Sequence, residues 1–85
     1  MENYFWNTEE NYKEKKLYIL VIYDIVNNRR RIAFAKKMNG YGFRVQKSAF
    51  EAMISDGMYR KLIDEIPTLI DKSEDSVRVY KIRGT

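Results

Sequence analysis

Leu17 to Asp24 read LYILVIYD, an unbroken β-branched and aromatic run closed by an acid. Eight such residues make a strand covered on both faces, and they are far too few to span a bilayer. The next residues, Ile25–Asn28, form a loop in which Asn27 or Asn28 caps a helix. That helix is expected over Arg29–Asn39, with Ile32, Ala35 and Met38 at helical spacing, Phe34 nearby and Gly40 as the residue that ends it.

After a turn at Tyr41-Gly42, Phe43–Ile54 alternates. Phe43, Val45, Lys47, Ala49, Glu51 and Met53 share one face; Arg44, Gln46, Ser48, Phe50 and Ala52 share the other. No Asn-Gly or Gly-Gly pair marks a hairpin, so one bent strand and two short ones both fit. Ser55 or Asp56 caps a second helix over roughly Gly57–Asp71, with Pro67 expected to kink or shorten it. Ser76–Ile82 (SVRVYKI) is the last strand. The order βαβ(β)αβ predicts an α+β, ferredoxin-like βαββαβ sandwich, with two helices over one sheet face. The first strand is apolar on both sides, so the other face also needs a cover. A second copy of the chain is the simplest one, giving a homodimer through the sheet faces. Residues 1–16, with Tyr4, Phe5, Trp6 and Tyr12 scattered among polar residues, read as an N-terminal extension, either a docking arm or a loose one. Residues 17–85 form the domain.

Composition removes several chemistries. The chain has 85 residues with neither Cys nor His. Disulfides, thiolate or imidazole zinc sites, and Ser-His-Asp or Cys-His catalysis are therefore excluded. What remains is carboxylate, hydroxyl and Lys/Arg chemistry, or a hard metal bound through oxygen. With 45% hydrophobic residues and one Pro the chain reads as globular. The polar start and the lack of a long apolar run lead to the expectation of a cytoplasmic protein without a membrane partner.

The formal net charge is +4, unevenly placed. Arg29, Arg30, Arg31, Lys36, Lys37, Arg44 and Lys47 lie in a stretch holding no acid. Such a field suits a phosphate polyanion, the alternative being a solvated basic face. Three arginines in a helix's first turn oppose its dipole, which makes sense if an anion binds there. Arg44, Gln46, Ser48 and Phe50 share a face that could meet phosphate, sugar or base, or could instead be covered. Ser48 has no base to make it a nucleophile. Asp24 ends a strand where a rigid element opens on a loop; it is either a reactive carboxylate or an Asx-turn residue. One Asp makes a poor metal site, but two brought together by a dimer axis could hold Mg²⁺.

The strand LYILVIYDI, the helix opening RRR, the run YGFRVQKSAFEA and the final DSVRVYKI together resemble the Cas-two family, the small CRISPR-associated proteins of spacer acquisition. The resemblance covers about Leu17 to Arg83, and the YG-x-RVQ-x-S-x-FE pattern is its most specific part. It implies a ferredoxin-like homodimer in which paired aspartates, Asp24 here, bind a divalent metal. It also implies that Arg31 (or Arg30), Arg44 and Phe50 fall on family site positions. Some members are reported as metal-dependent nucleases on single-stranded RNA or double-stranded DNA. In acquisition the dimer binds duplex DNA between dimers of the Cas-one integrase. Members usually continue beyond the last strand, so a C-terminal family segment is expected to be missing here.

Three functions compete on these residues. A duplex-DNA-binding scaffold rests on the acid-free basic stretch. A Mg²⁺-dependent endonuclease would use Asp24 with Arg44 and Phe50; whether the chain is an enzyme stays open, because no residue is an obvious general base. An RNA-binding module with an open aromatic sheet ranks last, because the first strand is too apolar for a wet face.

Overall fold

A computed structural model describes residues 16–84. Its elements are β1 (Lys16–Asp24), α1 (Asn28–Met38), β2 (Phe43–Gln46), β3 (Ala49–Ser55), α2 (Asp56–Leu69) and β4 (Ser76–Gly84). The strands form one antiparallel sheet in the order β2-β3-β1-β4. Both long strands pair with the apolar β1, and each helix crosses over to a strand that is not its neighbour. This is the expected ferredoxin-like arrangement. The aromatics of the proposed docking arm lie outside the described residues.

Strand alternation sorts β1 cleanly. Ile19, Val21 and Tyr23 are buried under the helices, while Tyr18, Leu20, Ile22 and Asp24 point to the opposite face. From α1, Phe34, Ala35 and Met38 enter the core; from α2, Leu62 and Ile66 do. Phe50, Ala52 and Ile54 line it from β3. The Tyr23 ring touches both Phe34 and Phe50, with centroids 4.7 and 5.9 Å apart. Ile32, expected in the core, is instead 60% exposed. The packed stripe of α1 runs through Phe34, Ala35 and Met38 and continues back to Arg31, which leaves Ile32 on the outer side.

Asn27 caps α1, its Oδ1 accepting the Arg30 N–H at 2.8 Å, and Ser55 caps α2 through the Met58 N–H. Pro67 does not end α2: the helix runs through it to Leu69, and Ile70 is extended. Gly40 does not take the left-handed conformation that an end-capping glycine would use. Gly42 carries the steric demand, because a Cβ there would lie 2.0 Å from the Glu51 carbonyl oxygen on β3. Phe43–Ile54 proves to be two strands joined at Lys47-Ser48. The tip has neither Asn nor Gly, and Tyr23 holds it from outside: its N–H donates to the Ser48 carbonyl at 3.0 Å and its hydroxyl to the Lys47 carbonyl at 3.2 Å.

The sheet face away from the helices is apolar and uncovered. Ile22 is 39% exposed, Tyr80 44%, and Phe43 and Met53 59% each, with Ile82 beside them on β4. The Tyr18 hydroxyl donates to Glu51 Oε1 at 2.6 Å on this face.

Candidate functional site

Asp24 is the last residue of β1, on the rim of the uncovered face, paired in register with Ser76 of β4. It is exposed, and among the described residues its carboxylate has no hydrogen-bond or ion-pair partner. It is therefore not the Asx turn that a strand-ending Asp offers; the next loop is held by other residues. Ile22, Tyr23, Asp24, Ser76 and Arg78 line a shallow hollow of about 240 Å³ there.

The cations divide into two groups. Asn28, Arg31, Ile32, Arg44, Lys47 and Ser48 line a groove of about 360 Å³ between the start of α1 and the β2–β3 tip. Arg31 is fixed by donating to the Ile25 carbonyl at 2.8 Å and to Asn28 Oδ1 at 2.6 Å. Arg44 lies over the Phe50 ring, 5.7 Å from its centroid, and donates to the Tyr23 hydroxyl at 3.4 Å. Neither arginine is paired with an acid, and Lys47, Arg29 and Lys36 are exposed without an acidic partner among the described residues.

Arg30 and Lys37 differ. The Arg30 Nε donates to Asp75 Oδ2 and its Nη2 to Glu74 Oε2, both at 2.7 Å, so its charge is neutralised inside the fold. The Lys37 Nζ lies 3.1 Å from Glu65, which also accepts the Tyr41 hydroxyl at 2.6 Å. Burial and that bond push the Tyr41 hydroxyl up to about 12. Sequence adjacency had grouped Arg29, Arg30 and Arg31, but a helix turns about 100° per residue and sends them to three different surroundings.

Phe50 is 2% exposed, so it forms a floor under Arg44 and does not present a face to a substrate. Arg44 and Phe50 thus sit together, on the helix side of the sheet, while Asp24 faces the other side. The expected catalytic trio is split by the sheet.

The family model described as CRISPR associated protein Cas2 matches residues 17–85. The chain belongs to the Cas2 family. A Mycobacterium tuberculosis protein named CRISPR-associated endoribonuclease Cas2 is 51% identical over 69 residues. The match covers 81% of this chain and 60% of that protein, so this chain spans well under two thirds of its length. A solved Thermus thermophilus structure, described as a hypothetical protein, superposes with a TM-score of 0.76 at 32% identity, over 80% of this chain and 83% of that one. Streptococcus pyogenes Cas2 at pH 6.5 superposes at 0.72 with 30% identity, over 78% and 86%. The resemblance read from the RVQ and DSVRVYKI runs is borne out, and the Cas2 relatives have the same α+β fold. No helix among the described residues is long and apolar enough to cross a membrane.

Sequence reasoning missed one element of this Cas2 domain. Asp75, in the polar segment between α2 and β4, ties three segments together. Its Oδ1 accepts the Val26 N–H at 3.0 Å, its Oδ2 accepts the Asp71 N–H at 2.8 Å, and Arg30 binds both oxygens. The available signal was the acidic pair Glu74-Asp75 directly before a strand, in a chain with a surplus of basic residues. Arg30 foremost, against the opposing effect of desolvation, holds the Asp75 carboxyl down at about 2 from its ordinary 3.8. A carboxyl whose folded value is depressed lends stability that is complete above its unfolded value and disappears as pH falls through the folded one. Between pH 3.8 and about 2 the wild type should therefore lose stability that Asp75→Asn has already lost. Urea midpoints measured from pH 5 to 2 should fall less steeply for the variant; parallel curves would remove this role for Asp75.

Proposed function

We propose that this chain acts in CRISPR spacer acquisition as a homodimeric scaffold that binds double-stranded DNA and joins the Cas-one integrase. The observation that carries the proposal is the set of cations without an acidic partner: Arg31, Arg44 and Lys47 in the groove where the start of α1 meets the β2–β3 tip, and Arg29 exposed on the same first turn of α1. Phosphate contacts of this kind supply affinity with little sequence preference. Family membership supports the CRISPR setting, and the uncovered apolar face supports the dimer. Duplex affinity measured at several salt concentrations tests the reading. About four phosphate contacts per protomer give a log–log slope of roughly −3.6, and near twice that if both protomers engage one duplex. An affinity indifferent to salt would overturn it.

A second reading is favoured by the unpartnered Asp24 carboxylate and by the endoribonuclease name of the Mycobacterium relative. The donor chemistry suits Mg²⁺, a hard cation that takes one or two carboxylates and keeps several waters. Among the described residues no cluster of three or more ligating side chains exists, so one protomer offers a single carboxylate. Asp24 from each of two protomers would hold the ion. Bound there, Mg²⁺ supplies an activated water and offsets charge on an RNA or DNA phosphodiester. From this chain, Arg31, Arg44 and Lys47, on the helix side of the sheet, bind the nucleic-acid backbone away from the cleaved phosphate, and Phe50 keeps Arg44 in place. Asp24→Asn should reduce Mg²⁺-dependent cleavage by about 10²-fold or more and leave duplex binding nearly unchanged. Cleavage that survives the change lies outside this site.

A further inference from the structure

The segment Ile25–Asn27 is all that separates the Asp24 carboxylate from the cations of α1. Ile25 is buried in the core and Asn27 caps α1, but Val26 between them is 59% exposed. The backbone at Val26 is fastened from two sides. Arg31 takes the Ile25 and Val26 carbonyls, and Asp75 takes the Val26 N–H. Asp75 precedes Ser76, the residue paired with Asp24 across the β1–β4 ladder. It thus holds both the strand that flanks Asp24 and the loop that follows it. Arg30 completes the clamp from α1, and the Asp75 side chain is fully buried beneath it.

We infer that Asp75, clamped by Arg30, is a positioning residue that fixes where the Asp24 carboxylate stands on the sheet rim relative to the α1 cations. The inference rests on the reading of Asp24 as a metal-holding carboxylate. Two carboxylates that meet across a dimer axis have little tolerance, because metal–oxygen distances are short and an ion such as Mg²⁺ demands near-octahedral geometry. Residues bonded directly to a ligand commonly control metal affinity about 10- to 100-fold; Asp75 reaches Asp24 only through the backbone on either side of it, which places its effect at the low end of that range. Replacing Asp75 by Asn removes the ion pair with Arg30. It also puts an amide N–H where an oxygen accepted from two donors: at the Oδ1 position it faces the Val26 N–H and Arg30 Nη2, at the Oδ2 position the Asp71 N–H and Arg30 Nε. With the amide at Oδ1 the Val26 N–H turns to water, and the loop keeps Arg31, the Asn27 cap and the buried Ile25.

The test is titration of the full chain with Mn²⁺, read by electron paramagnetic resonance, for wild type, Asp24→Asn, Asp75→Asn and Arg30→Lys. Circular dichroism confirms that each variant is folded at the working temperature, and amide exchange is followed at Val26 and Asp71. Asp75→Asn should weaken Mn²⁺ binding about 10-fold and speed exchange at Val26. Arg30→Lys, which leaves the Asp75 bonds to Val26 and Asp71 possible, should fall between. If Asp75→Asn does not fold, Arg30→Lys carries the comparison. A merely structural clamp would lower the urea midpoint without moving the Mn²⁺ affinity of the folded protein. That result, set against a clear loss in Asp24→Asn, overturns the positioning role alone. Equal Mn²⁺ binding by wild type and Asp24→Asn overturns the metal reading of Asp24 and this inference with it.

Discussion

Replacing Arg29, Arg44 and Lys47 together by Gln should weaken duplex binding about 10²- to 10³-fold near 0.1 M salt and flatten the salt slope by roughly 3. Each lost phosphate contact forfeits the release of about one counterion, worth close to tenfold in affinity at that salt. The three are chosen because none pairs with an acid, so removing them leaves no buried charge behind. Arg31 is left out because it also holds the Ile25 and Val26 carbonyls. Arg30→Gln is the contrasting control. Its guanidinium is already bound to Asp75 and Glu74, so its loss should lower the urea midpoint and leave the slope almost untouched. A triple variant that binds as wild type does would remove the groove from the interface.

Ile22→Glu should convert a dimer to a monomer, raising the dimer dissociation constant by at least about 10²-fold. Ile22 lies on the uncovered face of the central strand β1, with Arg78 of β4 as its ladder partner and Met53 on the same face. A carboxylate there would be desolvated in any face-to-face dimer, with only Arg78 beside it to offset the cost. In an isolated protomer it would stay in water, so the domain itself should keep its fold. Sedimentation across a range of concentrations separates these states. If Asp24 binds a metal only as a pair, Mn²⁺ binding should disappear with the dimer. Unchanged sedimentation would mean that the face is covered by something other than a second copy.

The fold was legible because its information is local. β1 is continuously apolar, β3 alternates, and both helices open with a capping residue whose side chain does bond the expected amides. The errors occur where tertiary contact overrules local pattern. Ile32 has helical spacing with Ala35 and Met38, yet the packed stripe runs one position to the side. Gly40 looked like the capping glycine, while the demand fell on Gly42, pressed against the Glu51 carbonyl. Of the candidate site, residue types were legible and their company was not. Nothing in RRR tells which arginine is spent on an internal acid, because the acids are 44 and 45 positions away. Phe50 could be placed on the Arg44 face, but its burial depends on Tyr23 and Phe34 arriving from other elements.

The β2–β3 tip has a consequence for the order in which the chain assembles. Lys47-Ser48 joins the strands without Asn or Gly, and Tyr23 of β1 binds both of its carbonyls, so β2 is expected to settle on β3 only once β1 is in place. A four-residue edge strand with a register shift, paired on one side only, is also expected to open first in the native state, which amide exchange at Arg44 and Gln46 would record. Two cations of the groove ride on this last-formed, first-released hairpin. A polyanion bound there therefore selects the closed hairpin and lends the domain a rigidity that its own sequence leaves unfinished.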